Sequence, residues 1–268
     1  MCRTPALAAT VLALLTSPVL AAEQPKPIAP APAAAPAKAT AAQRAEARRL
    51  DPLARAAFWA RELEIDGRDV EAGVGMSQAL RQMGRNEEAA DAVGRVLIVA
   101  PDSIDALLES ARAQIGRGQG FYAIEPAKKA QALSPRDWRP VSLLGVAMEQ
   151  TGRDEEARAY HAQAMTLAPN DPGPITNMAL YYAGHGDLPR AEQLLRTAAS
   201  LSRADPKVRM NLALVVGLQG RVAEAEQLVR QDLPPEQVAN NVAWLKAATE
   251  RQPTGQARSW NAVGGAGS

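Results

Sequence analysis

Three sets of residues in this chain have types and spacing that could do chemistry. The run Gly116-Arg117-Gly118-Gln119-Gly120 has the composition of a loop that cradles phosphate through backbone N–H groups. Such a loop needs a strand feeding it and a helix N-terminus behind it, and no strand precedes Gly116. The two histidines, His161 and His185, are the second set. A catalytic zinc takes three protein ligands and a structural one four, which two histidines without cysteines do not supply. Neither histidine is matched by a serine in a nucleophile elbow. The third set is the acid pairs Glu87-Glu88, Glu155-Glu156 and Glu224 with Glu226. Paired carboxylates of the glycosidase kind need a shaped cleft that raises one pKa. These recur instead at fixed steps, as solvated first turns of helices. The residues predict no catalytic site, no cofactor and no metal.

Behind these residues stands a chain of 268 residues, 47% hydrophobic but only 4% aromatic. The apolar load is Ala, Leu and Val, a composition for closely packed helices rather than a sandwich of β-branched strands. A formal net charge of +1 gives no bias toward nucleic acid. Nothing in the pattern points to a small-molecule substrate.

The elements that position everything else come from a repeat. Gly84, Gly118, Gly152, Gly186 and Gly220 lie 34 residues apart, as do Ala89, Ala123, Ala157, Ala191 and Ala225. Pro101, Pro135 and Pro169 keep the same step, and small residues recur at Ser77, Ala111, Gly145, Ala179 and Ala213. Each column has a reason. The glycine ends one helix in the left-handed conformation that reverses the chain. The alanine sits where the second helix crosses the first. Acids after the glycine favour the positive end of the second helix, and proline closes the unit. A 34-residue helix-turn-helix period resembles the tetratricopeptide repeat. Units fall at about 70–103, 104–137, 138–171, 172–205 and 206–234. One helix is expected before them, over Leu53 to Asp66, and one after, from Pro235-Glu236-Gln237 to about Glu250. The expected fold is all-α, a right-handed superhelical solenoid of about a dozen helices occupying 43–250, with terminal helices capping the stack.

The flanks read differently. Arg3, the apolar run Ala6 to Leu15 and the segment Val19-Leu20-Ala21-Ala22 read as a secretory signal over 1–22, whose small residues offer cleavage after Ala21 or Ala22. The run is short of the roughly 20 residues that span a bilayer. Residues 23–42 are Ala- and Pro-rich and read as a disordered tether, and 251–268 as a disordered tail. The expected location is outside the cytoplasm, in the periplasm, with or without association with the outer membrane. The sole cysteine, Cys2, precedes the apolar run, so the mature chain has no thiol and no lipid-anchor cysteine after the signal.

In a solenoid the first helices line the inner, binding surface. The second, fifth, ninth and twelfth positions of each unit are predicted to face inward. They run from Glu71, Val74, Gln78 and Arg81 to Lys207, Met210, Leu214 and Gly217, from charged to small and apolar. Asn177 and Asn211 share the sixth position and could hold an extended backbone or simply join neighbouring units. The candidate groove is Arg112, Val146, Thr176, Asn177, Leu180, Met210, Asn211 and Leu214. The Lys/Asn arrangement with which chaperone-binding domains of this kind grip a carboxylate is not matched, because Val74 and Gln78 occupy its first two places.

The run from Pro206 to Leu245 is more specific. It includes Asp205-Pro206-Lys207-Val208-Arg209-Met210-Asn211-Leu212-Ala213-Leu214, then Asp232-Leu233-Pro234-Pro235 and Asn240-Asn241-Val242-Ala243-Trp244-Leu245. It resembles the TadD family of Tad (tight adherence, Flp pilus) assembly proteins, with similarity over roughly 50–250. The resemblance implies a non-enzymatic scaffold that assists assembly of a type IVb pilus secretion system, through its outer-membrane secretin or associated components. Members of that family commonly carry a lipid-attached N-terminal cysteine, which this sequence lacks. The alternative is an adaptor of another envelope machine, such as one for cell-wall synthesis or cytochrome maturation, since one fold serves many functions.

Overall fold

A computed structural model describes residues 37–201 and 205–250. The predicted signal, residues 23–36 of the predicted tether and the predicted tail lie outside the described residues. Among those described, thirteen helices follow one another and no strand occurs. They are α1 (Ala41–Ala47), α2 (Pro52–Ile65), α3 (Val70–Gln82), α4 (Asn86–Val99), α5 (Ile104–Gly116), α6 (Gly120–Leu133) and α7 (Trp138–Gln150). The chain continues through α8 (Asp154–Leu167), α9 (Pro172–Gly184), α10 (Leu188–Ser200), α11 (Pro206–Leu218), α12 (Val222–Val229) and α13 (Pro235–Glu250). None is long and apolar enough to cross a membrane.

The helix ends are written into each repeat. Asp69, Ser103, Asp137, Asp171 and Asp205 precede the five first helices, and each side chain accepts a hydrogen bond from a first-turn backbone N–H. A cap of this kind contributes about 1 kcal/mol. The first helices end in the five repeat glycines, which have φ between +70° and +86°. The residue after each glycine donates back across the turn, as Arg85 N does to Leu80 O (2.9 Å) and Arg153 N to Met148 O (2.9 Å). The second helices α4, α8 and α12 have no side-chain cap, and acids occupy their first turns. Arg85 holds Glu88 and Arg153 holds Glu156, each three residues on. These arginines keep both carboxyls below their ordinary range.

Packing follows the small columns. Ala89, Ala123, Ala157, Ala191 and Ala225 are buried, as are Ser77, Ala111, Gly145, Ala179 and Ala213. Ser77 Oγ donates to Ala89 O at 2.8 Å, tying one column to the other. At Gly145 an added Cβ would lie 2.6 Å from the His161 ring, so glycine is what lets the imidazole lie against α7.

The N-terminal end departs from the expected single helix. Residues 41–47 also form a helix, starting inside the stretch expected to be tether, because Thr40 and Gln43 make a reciprocal capping box. Arg44 explains why this short helix stays down. Its guanidinium reaches Glu62 (2.5 Å), Asp69 (2.7 Å) and Glu71 (2.9 Å). The bond to Asp69 first of all holds Arg44 above its ordinary pKa, against the effect of burial. Trp59 of α2 is buried, with its indole over Gly75 of α3. At the other end Val238 and Leu245 of α13 pack with Ala213, Ala225 and Val229. Leu245 lies over Gly217 of α11, where a Cβ would meet it at 2.5 Å.

Ion pairs also join neighbouring units. Glu192 of α10 accepts from Arg196 of its own helix, from Gln219 (2.8 Å) and from Arg221 at the next turn. The Arg221 bond is the largest influence that brings its pKa down to about 2.

Three outcomes are expected. Gly84→Ala, at φ +77° with nothing near its missing Cβ, should cost about 1–2 kcal/mol in denaturant unfolding through backbone strain alone. Gly94→Ala, in open space on α4, should instead gain about 0.5–1 kcal/mol. For Glu192, a depressed folded pKa means stability present above the ordinary value near 4.5 and lost as pH falls toward about 2. Glu192→Gln should therefore lower the melting midpoint at pH 7, and the gap to the native protein should close at acid pH.

Candidate protein-interaction face

The first helices α3, α5, α7, α9 and α11 stand in register, so equivalent positions form rows across the stack. The row at position five is not available to a partner as the sequence predicted. Val74, Leu108, Ser142 and Thr176 are all buried, because successive first helices pack on one another through this position. Met210, at the last such place, is 37% exposed. Thr176, a predicted groove residue, is 8% exposed and its Oγ1 makes no hydrogen bond.

The other predicted residues divide. Val146 and Leu180 are half-buried on the same face. Asn177 donates through Nδ2 to Ser142 Oγ of the preceding unit at 2.6 Å, so its amide joins units. Asn211 is half-buried one unit later. Leu214 packs against the cluster that α13 completes, which places it under the terminal helix rather than in open groove. Gly217, predicted to face inward, is covered by Leu245.

Arg112 sits in the charged middle of the face. Glu109, one helical turn before it, is fully buried. Arg81 of the preceding unit donates through Nε to Glu109 Oε1 at 2.6 Å, and Arg112 lies 3.6 Å from Oε2. Burial holds Arg112 below its ordinary pKa, while Glu109 opposes that effect and Arg81 and Arg139 add to it. Glu109 was absent from the predicted groove. Its signal was an acid in the sixth column beside Gly75, Leu143, Asn177 and Asn211.

The remaining chemistry-bearing residues take structural places. Gly118 is the left-handed turn between α5 and α6. His161 is fully buried, with Nε2 2.5 Å from Glu149 Oε1. The fold brings both histidines to one tyrosine: Tyr181 has its ring centroid 5.8 Å from His161 and 4.2 Å from His185. Among the described residues no group of three His, Cys, Asp or Glu is placed to hold a metal.

Known structures match this arrangement. A thermophilic tetratricopeptide protein of Thermus thermophilus superposes with a TM-score of 0.59 and 23% identity, over 66% of this chain and 99% of that one. A tetratricopeptide repeat protein from Parabacteroides merdae superposes with a TM-score of 0.63 and 14% identity, over 78% of this chain and 86% of that one. The fold is the tetratricopeptide solenoid. PilF of Pseudomonas aeruginosa overlaps with a TM-score of 0.49 and 21% identity, over 69% of this chain and 88% of that one, too loosely to bear on function. No protein-family model and no curated protein matches the sequence.

Truncating the two charges should separate their roles. Glu109→Ala strands Arg81 and Arg112 and should destabilise by about 3 kcal/mol. Arg112→Ala leaves Glu109 bonded to Arg81 and should change stability by less than about 0.5 kcal/mol. Paired chemical-denaturation curves check both.

Proposed function

We propose that this chain is a non-enzymatic scaffold of the bacterial cell envelope that binds other proteins along its first-helix face. We further propose that it assists assembly of a Tad/Flp pilus secretion system, acting on the outer-membrane secretin or its associated components. The observation that carries the scaffold reading is the tetratricopeptide solenoid itself, whose first helices present a face of partly exposed side chains from Arg112 through Val146 and Leu180 to Met210. Solenoids commonly bind partners along such extended faces. The pilus reading is supported by the resemblance of the run from Pro206 to Leu245 to the TadD family. Export is supported by the signal-like pattern of residues 1–22.

The experiment is a crosslinking pull-down of the tagged full-length protein from its native envelope. A secretin or other pilus component should be recovered, and recovery should fall at least about tenfold in Leu180→Glu and Met210→Glu, which place charge in a contact surface. Leu214→Glu is the wrong probe because it would break the α13 cluster. Recovery of cell-wall or cytochrome-maturation proteins alone would overturn the pilus assignment, and recovery insensitive to both substitutions would overturn the face.

A further inference from the structure

We infer that the middle of the first-helix face is a docking site for acidic side chains of an extended protein segment, centred on Arg112 with Arg139 and Arg81 beside it. The inference rests on the scaffold reading and names the chemistry of what the scaffold takes.

The starting point is the pairing of each guanidinium. Arg81 occupies both oxygens of the buried Glu109, at 2.6 and 3.4 Å. Arg139 is bound to Asp137 through Nε (2.9 and 3.0 Å) and Nη2 (2.6 Å), and exposed Asp105 also acts on it. Asp137 is itself committed, since it caps α7 through Arg139 N at 2.9 Å. Of the three, Arg112 alone has only a shared carboxylate, the Glu109 that Arg81 already holds. Its nearest anion is an oxygen already held by Arg81, at a distance of 3.6 Å, beyond hydrogen-bond range.

That situation has a cost and a direction. A guanidinium is deprotonated in no ordinary protein setting, so the desolvation of Arg112 is met by no proton loss. It is met by an anion or it remains a cost. With 30% of its side chain exposed, Arg112 is open to an incoming group while its far side is already out of water. The planar fork of arginine favours a bidentate carboxylate. Arg139 and Arg81, on the next and preceding units, would flank such a carboxylate and leave room for a second acid along the segment. Arg81, Arg112 and Arg139 stand at the twelfth, ninth and second positions of three successive units, whereas the Lys/Asn carboxylate grip of chaperone-binding repeats begins at places held here by Val74 and Gln78. The site is therefore of a different design and reads side-chain charge along a strand of chain.

The test uses the full-length protein and a fluorescent, C-terminally amidated peptide of alternating Glu and Ser, with a Gln-for-Glu peptide as control, read by fluorescence anisotropy. The Glu peptide should bind saturably at low salt and the Gln peptide should not. Arg112→Gln should weaken binding about tenfold or more, Arg139→Gln should weaken it less, and Arg153→Gln, whose arginine pairs with Glu156 at the edge of the stack, should leave it unchanged. Circular dichroism melts confirm that each variant is folded. Equal binding by both peptides, or equal weakening by Arg112→Gln and Arg153→Gln, would overturn the inference. Binding only by the non-amidated peptide would also overturn it, by assigning the site to a chain terminus. If the acidic peptide fails while envelope partners are still captured through Leu180 and Met210, this inference falls and the scaffold reading stands. If both fail, both fall.

Discussion

Everything in this molecule depends on how closely two helices of a pair can approach. Ala89, Ala123, Ala157, Ala191 and Ala225 sit at the crossing with essentially no exposure, facing a second column of small residues on the first helix. With so few aromatics in the chain, large side chains cannot fill wide gaps, so cohesion must come from short interhelical distances and many weak contacts. Where one large group enters, the opposite position gives way completely: glycine at 145 beneath His161, at 75 beneath Trp59, and at 217 beneath Leu245. These three pairs put bulk on one helix and nothing on the other.

Close stacking has an electrostatic consequence. First helices packed on one another bury the row at position five from Val74 to Thr176, and beside it at the sixth position of the second unit Glu109 sits with no exposure. A carboxylate there needs a cation brought from a neighbouring unit, because its own helix offers only Arg112 at a poor distance. Arg81 answers that need. Glu62, buried at the N-terminal end, is answered by Arg44 in the same manner. Such pairs add little net stability over apolar packing, but losing one partner is costly. They also leave Arg112 sharing the carboxylate that Arg81 already holds.

The same geometry divides the face into parts that can meet a partner and parts that cannot. Thr176 and Ser142 serve the stacking, and the Asn177 amide is spent on Ser142. Val146, Leu180 and Met210 keep surface outside the stack. The terminal helix α13 then closes the apolar end over Leu214 and Gly217, which removes from the groove the residues that a simple positional count would have rated its most apolar. What remains accessible is charged near Arg112 and apolar near Met210.

The repeat length, the turn glycines, the helix-crossing alanines and hence the all-α solenoid were all legible in the order of residues alone. Each of those rests on local requirements, φ above zero at one residue and no side chain beyond Cβ at another, that any sequence meeting the fold must show at a fixed step. The column Asp69, Ser103, Asp137, Asp171 and Asp205 keeps the same step of 34 residues and has the residue types of helix caps. The N-terminal helix α1 was not legible, because Leu50 and Arg55 stand 34 residues before Gly84 and Ala89 and so break both columns. Which side chains of the first-helix face stay accessible followed from packing between units. Whether a side chain at position five meets a partner or the next helix depends on the spacing between units, and whether Arg112 owns a carboxylate depends on Arg81, 31 positions earlier in the sequence. Those are distances between elements, and no local pattern encodes them.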